Sequence, residues 1–257
     1  MINHREMIEL LEDENCTLRI SNMSREQLAE LFGVEFSILK GYDQNNPHHD
    51  RDLLAHTLGV LDGIRALQLP YGDAFPLSVA ALLHDIGKPE TAQLKQGRTV
   101  FYGHSLAGRL MAERLLNAYG FGEDVIPRIL FYIGYHDAFV NCKLPSEMEE
   151  PPNPYLKAIS EKSVAELIHA IQNESETKYR FRPTKNDFCC LLRLCIADAS
   201  AQAETVCMKG NVVDTRKNKI ARLSRIMSLL PDESNSEINR HSGIQGKSDE
   251  AVESSKG

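Results

Sequence analysis

The sequence predicts an all-α fold. Apolar residues recur with a helical period along most of the chain, and cap and stop signals bracket the periodic segments. Strand-like patterning is confined to one short stretch at 98–102.

Taken in order, an amphipathic turn or two at 6–13 comes first. Ser24-Arg25-Glu26-Gln27 has the capping-box pattern and opens a short helix to Phe32, with Gly33 as its stop. Residues 41–51 form a polar, turn-rich loop. A helix at 52–67 carries Leu53, Leu54, Leu58, Val60, Leu61 and Ile64, and 69–73 end it. Pro76 is read as the first turn of the next helix, which runs as a nearly all-apolar, buried segment over 77–85 and stops at Gly87 and Pro89. Further helices are expected at 103–119, 123–136, 155–173, 186–208 and 215–230. A Pro- and Glu-rich loop fills 145–154, and Thr184 to Asp187 resemble another cap. The total is eight to ten helices, with those at 52–67, 77–85 and 186–208 at the centre. There is no internal repeat and no heptad register.

A chain of 257 residues, 42% apolar and 25% charged, fits one domain with appendages. Residues 1–41 are read as a helical N-terminal extension and 42–230 as the main domain. Residues 231–257, where Asp, Glu, Ser, Asn, Gly and Lys dominate, are read as a disordered tail. No apolar run reaches the roughly 18 residues of a membrane span, and the N-terminus has no apolar signal core, so a cytoplasmic protein without membrane contact is expected. Twenty-nine basic residues against 36 acidic ones give a net charge of −7, which disfavours a strongly electrostatic nucleic-acid binder. The six cysteines (Cys16, Cys142, Cys189, Cys190, Cys195 and Cys207) include no CxxC pair and read as buried reduced thiols.

Several ionisable residues break the apolar pattern. His56 lies on the buried stripe of its helix. His84 and Asp85 end the apolar run Val79-Ala80-Ala81-Leu82-Leu83. His104 starts one helix, and His136 ends another that contains Ile129, Leu130 and Ile133. Asp198 shares a face with Leu191, Leu194 and Ala201. An unpaired buried carboxylate costs several kcal/mol or becomes neutral. Asp85 and Asp198 therefore require partners, and a divalent cation completed by neutral imidazoles would serve both. Each residue has a plainer alternative. A lone histidine on an apolar face is commonly a satisfied core residue, and an aspartate can cap a neighbouring helix. The set as a whole carries the expectation.

The order His56, His84-Asp85, Asp198 resembles the HD superfamily of metal-dependent phosphohydrolases. With His104 and His136 it resembles the members that hold two metals. Leu82-Leu83-His84-Asp85-Ile86-Gly87-Lys88-Pro89 looks like the central motif with its trailing Gly-Lys. Phe101-Tyr102-Gly103-His104-Ser105 and Asn46-Pro47-His48-His49 with Ala55-His56-Thr57-Leu58 are most similar to the HD region of bacterial CCA-adding tRNA nucleotidyltransferases and poly(A) polymerases. The resemblance spans 42–202. The 41 residues before Tyr42 lack the Gly-Ser segment and paired carboxylates of a nucleotidyltransferase domain, which implies a stand-alone HD protein. Gly134-Tyr135-His136 differs from the Gly-Tyr-Pro signature of cyclic-di-GMP phosphodiesterases.

The resemblance implies an HD-domain helical bundle with a buried metal site. His56, His84, Asp85 and Asp198 would hold one divalent ion, and Asp85 would bridge to a second held by His104 and His136. The ions would be Mn, Fe, Ni, Co, Zn or Mg. Asp85 and Lys88 are the expected catalytic residues, Lys88 contacting substrate phosphate or the leaving oxygen. The reaction would be attack of a metal-activated water on a nucleotide or another small phosphate mono- or diester. The alternative is a non-catalytic RNA- or nucleotide-binding module with a structural or vestigial metal site, which the net charge weakens. A regulatory or scaffold protein acting through the 215–230 helix and the tail has no specific motif in its favour. Asp137 is read as solvent-facing or as a support for His136, and Arg109 as a surface ion pair or a phosphate contact. His48 and His49 are placed at the mouth. His4, His169 and His241 are read as ordinary surface residues.

Overall fold

A computed structural model describes residues 1–148, 151, 153–208 and 211–231. The expected tail, with His241, lies outside them apart from Pro231, and so does the side chain of Cys207. The fold is all-α, as predicted. The helices are α1 (His4–Glu12), α2 (Cys16–Asn22), α3 (Arg25–Phe32), α4 (Val34–Ser37), α5 (Leu53–Arg65), α6 (Tyr71–Leu83), α7 (Lys88–Thr91), α8 (His104–Ala118), α9 (Ile126–Tyr135), α10 (Glu161–Tyr179), α11 (Lys185–Ser200) and α12 (Thr215–Ser228). Among the described residues the count exceeds the expected eight to ten, because α4 and α7 have four residues each, too few to register as a period, and no helix is predicted at α2. No described helix is long and apolar enough to cross a membrane.

The strands are short. β1 (Gln93–Lys95) and β2 (Arg98–Val100) form an antiparallel hairpin. Its two-residue turn, Gln96-Gly97, has φ of 52° and 78°, the doubly left-handed geometry that matches strand twist. β3 (Cys142–Lys143) pairs in parallel with β4 (Lys157–Ala158), and β5 (Val206–Met208) pairs antiparallel with β6 (Asn211–Val213). Sequence patterning showed only the first of these three ladders.

Several boundaries depart from expectation for identifiable reasons. α6 begins at Tyr71, so Pro76 sits inside the helix instead of in its first turn. Proline has no N–H, which leaves the Gly72 carbonyl without its helical donor. Arg128 Nη1 supplies one at 2.8 Å while its other nitrogens hold Asp73 and Asp187. α10 starts at Glu161, not 155, because Ser160 and Ser163 form the cap and Lys157–Ala158 pair with β3. α11 ends at Ser200, not 208. There the Ala203 N–H donates to the His48 carbonyl at 2.9 Å, and the chain leaves the helix for β5. His4 is half-buried against Phe75 and Phe121. The five described cysteines are free, four of them buried and Cys189 partly so.

α5 packs against both α6 and α11, and α8 against α9. Small residues set the closest approach. A methyl group added to Gly63 would come within 3.2 Å of Ala197 Cβ, and one on Gly59 within 3.4 Å of Ala201 Cβ. This contact sets the α11 face that carries Asp198 against the α5 face that carries His56. Gly87 is tighter still: a methyl there would lie 2.3 Å from the His104 carbonyl oxygen and 2.4 Å from Gly108 N. Its backbone is ordinary (φ −82°), so the requirement for glycine is one of space.

Gly87→Ala is expected to force the α6–α7 turn away from α8 and destabilise the protein by about 2 kcal/mol or more. Denaturant unfolding that shows a loss of less than about 0.5 kcal/mol would contradict this contact. Arg128→Ala should cost a similar amount, about 2 kcal/mol, because it leaves the Gly72 carbonyl without a donor and takes one charged donor from each of Asp73 and Asp187.

Candidate metal centre

The six residues singled out by sequence meet in one buried cluster. Helix ends deliver most of them. His84 is the C-cap of α6, and Asp85 follows it in the turn before α7. His104 is the first residue of α8, and His136 caps α9. His56 and Asp198 project from within α5 and α11. None is more than 8% exposed.

The imidazoles are oriented alike. Nδ1 of His84, His104 and His136 lies 2.8, 2.8 and 2.7 Å from the carbonyls of Ala81, Phe101 and Ile133, and that of His56 lies 3.3 Å from Ala201 O. A carbonyl only accepts, so each Nδ1 is the donor and each Nε2 is turned inward, its lone pair free for a ligand when the ring is neutral. His84, His104 and His136 each use a carbonyl three residues back along the chain, a local geometry available at a helix end.

The two carboxylate oxygens of Asp85 face different groups. Oδ2 lies 3.1 Å from His84 Nε2 and 3.4 Å from His56 Nε2. Oδ1 lies 3.3 Å from His104 Nε2 and 3.7 Å from His136 Nε2. Asp198 Oδ1 is 3.1 Å from His56 Nε2. Two sets of donor atoms result: His56, His84, Asp85 and Asp198, and Asp85, His104 and His136. Within each set all ligand atoms lie within 4.8 Å of one another.

The donor atoms fit a divalent cation. Nitrogen and oxygen ligands about 2.1 Å from a shared ion, at right angles, are separated by about 3 Å, which is the spacing seen here. Among the described residues, Nε2 of His56 and His84 have no hydrogen-bond partner despite full burial. Nε2 of His104 and His136 stand 3.0 Å apart, both directed inward. Such a contact repels unless a proton or a cation lies between them.

The electrostatics agree. Burial by itself would raise the Asp85 carboxyl, but His84, Lys88 and the other facing imidazoles hold it well below the usual carboxylate range. Asp198 is likewise held low against its burial by Lys219 and His56. Burial would lower His136, yet Asp137 and Asp85 raise it to about 9.

Other residues complete the surroundings. Lys88 is buried: its Nζ lies 2.7 Å from Asp85 Oδ2 and donates to Gln44 Oε1 at 2.9 Å. Asp137 is 43% exposed at its side chain, but its Oδ2 lies 3.1 Å from His104 Nε2. It therefore faces the inward nitrogen of His104, not the Nδ1 that orients a ring. His49 packs edge-on to His56 with centroids 4.9 Å apart, and burial, then Lys88, lowers it to about 3. His48 is also lowered, by burial first. His169 is exposed. Arg109 is buried, where a surface ion pair was expected.

Sequence reasoning missed Lys219 and Gln202. Lys219 Nζ donates to Asp198 Oδ2 at 3.0 Å, and Gln202 Nε2 lies 3.2 and 3.3 Å from the two Asp198 oxygens. Gln202 lies one helical turn after Asp198 and was legible in principle. Lys219 sits on a polar helix 21 residues away in sequence, where nothing marks it.

Residues 53–161 match the family described as HD domain. The match contains His56, His84, Asp85, His104 and His136, while Asp198 comes from α11 beyond it. It supports the HD superfamily, and with the buried His/Asp group it points to a divalent metal site. No curated protein matches the chain.

His136 carries a pH prediction. Its proton is held to about pH 9 in the metal-free fold but leaves near 6.5 in the unfolded chain. The stabilisation is complete below pH 6.5 and fades as pH rises through about 9. Metal-free protein should lose on the order of 3 kcal/mol across that window. Metal-loaded protein should not, because the ion takes the place of the proton. Urea unfolding of chelator-treated and metal-loaded samples checks this, and identical pH profiles would contradict it.

Proposed function

We propose that the protein is a metal-dependent phosphohydrolase acting on a nucleotide or another small phosphate mono- or diester. The observation that carries this reading is the division of Asp85, with one oxygen toward His56 and His84 and the other toward His104 and His136. A carboxylate so placed suits two neighbouring cations. An ion pair held there would supply Lewis acidity toward a phosphoryl oxygen and an acidified water as nucleophile.

The chain's own groups have distinct tasks in this reading. His56, His84, Asp85 and Asp198 form one ligand set, and Asp85, His104 and His136 the other, with Asp137 as a further oxygen donor beside His104. The Nδ1–carbonyl bonds hold the four rings in the ligating tautomer. Lys219 and Gln202 hold Asp198 so that Oδ1 faces His56. Gln44 keeps the Lys88 ammonium beside Asp85, where it would neutralise charge on a phosphate or leaving oxygen. The imidazole and carboxylate donors suit Mn, Fe, Co, Ni or Zn, and Mg less well. The likeness of 42–202 to the HD region of CCA-adding enzymes supports a nucleotide-type substrate. The net charge of −7 favours a small ester over an extended RNA.

Asp85→Ala should abolish hydrolysis of chromogenic phosphate esters and remove bound metal while helical content by circular dichroism is kept. Stoichiometric metal in that variant would refute the central role of Asp85. Lys88→Ala should leave metal content unchanged and lower kcat/KM by roughly 100-fold. Loss of metal with Lys88 would instead assign it a structural role.

A further inference from the structure

Arg109 is a buried cation without an anion. It lies on α8, five residues after His104, and is 8% exposed. Its side chain crosses Gly134 of α9 closely enough that a methyl there would lie 3.1 Å from Arg109 Cδ. The guanidinium stacks on Tyr179 at the end of α10, with Cζ 3.5 Å from the ring centroid. Arg109 Nε has no hydrogen-bond partner, and among the described residues no carboxylate pairs with the group. Stacking satisfies the face of a guanidinium but leaves the in-plane N–H fork unused.

A second unpartnered group lies beside it. The Tyr135 hydroxyl also has no hydrogen-bond partner, and the residue is 9% exposed. Its ring centroid is 6.5 Å from that of Tyr179. A phenol is a protonated donor at neutral pH, and Glu174 approaches this one. Glu174, the acid nearest that hydroxyl, is paired with Lys178 at 2.6 Å. A buried guanidinium without an acceptor, and a buried hydroxyl on the next helix whose neighbouring acid Glu174 is drawn to Lys178, describe a place for an oxyanion.

This place lies on the two helices that also carry metal-centre residues. α8 and α9 carry His104 and His136, and Tyr135 directly precedes His136. Side chains on a helix lean toward its N-terminus, so Arg109 leans toward the His104 end from about 7.5 Å along the axis.

We propose that Arg109 and Tyr135, backed by Tyr179, form an oxyanion subsite that receives a second phosphate group of the substrate. The guanidinium fork takes two phosphate oxygens and the tyrosine hydroxyl a third. The subsite rests on its own geometry. Its assignment to the substrate rests on the phosphohydrolase reading, and it narrows the substrate to phosphate esters that carry another phosphate nearby.

Two measurements on the whole 257-residue chain separate these statements. In the first, inorganic phosphate is titrated calorimetrically into wild type, Asp85→Ala, Arg109→Gln and Tyr135→Phe. Phosphate binding should persist in Asp85→Ala and weaken at least about tenfold in Arg109→Gln, with metal content unchanged. Tyr135→Phe should weaken it severalfold, and this variant decides the matter if Arg109→Gln fails to fold. Phosphate affinity unaltered by the Arg109 or Tyr135 change, or lost only with Asp85, overturns the subsite. In the second, metal-loaded wild type and Arg109→Gln are compared on a nucleoside monophosphate and a nucleoside bisphosphate. KM should rise for the bisphosphate alone. Equal losses on both overturn the second-phosphate assignment. Absence of any turnover refutes the hydrolase reading and leaves the binding result to judge the subsite.

Discussion

The burial of Asp85 is the constraint on which the rest of this structure depends. A carboxylate 2% exposed in a helical core needs compensation of several kcal/mol. It lies in the turn where α6 gives way to α7, and its neighbour His84 and Lys88 across the turn supply part of that compensation. The rest comes from far along the chain: His56 from α5, His104 from α8 and His136 from α9. Each of these groups is itself costly to bury, and the carboxylate offsets part of that cost. The cluster therefore couples the helices that carry it.

Packing details of the fold serve that arrival. Gly87 lets the turn touch the start of α8, which brings His104 to Asp85. Gly59 and Gly63 let Ala201 and Ala197 of α11 close on α5, which sets Asp198 against His56. The HD-matching segment ends at residue 161, yet the cluster is completed from α11, and Asp198 is held in place from α12. The described C-terminal helices are thus part of the site's framework.

Lys88, Lys219 and Arg109 approach the His/Asp cluster or its neighbouring helices from α7, α12 and α8, in a protein of net charge −7. Two of them neutralise buried carboxylates, and the third has no carboxylate partner among the described residues. Field at a concave site is set by the nearest few groups in a low dielectric, and the distant acidic surface is screened. Overall charge therefore speaks against a long polyanion without speaking against a small phosphorylated ligand.

The chain by itself determined the all-α class, the central trio α5, α6 and α11, and the identity of the ionisable residues that interrupt apolar faces. These are properties of period and composition within single helices, where i, i+3 and i+4 neighbours define a face. It also marked the Ser24 and Thr184 caps, because a cap is complete within four residues. The tertiary structure decided what depends on partners remote in sequence. Pro76 entered the body of α6 because Arg128 could serve the carbonyl it orphaned. α11 stopped at Ser200 because the His48 loop took up the following backbone. The division of Asp85 between two histidine pairs, the support of Asp198 by Lys219 and the unpaired burial of Arg109 all arise between helices. No spacing along one helix encodes them, since each depends on where a second and third helix come to rest.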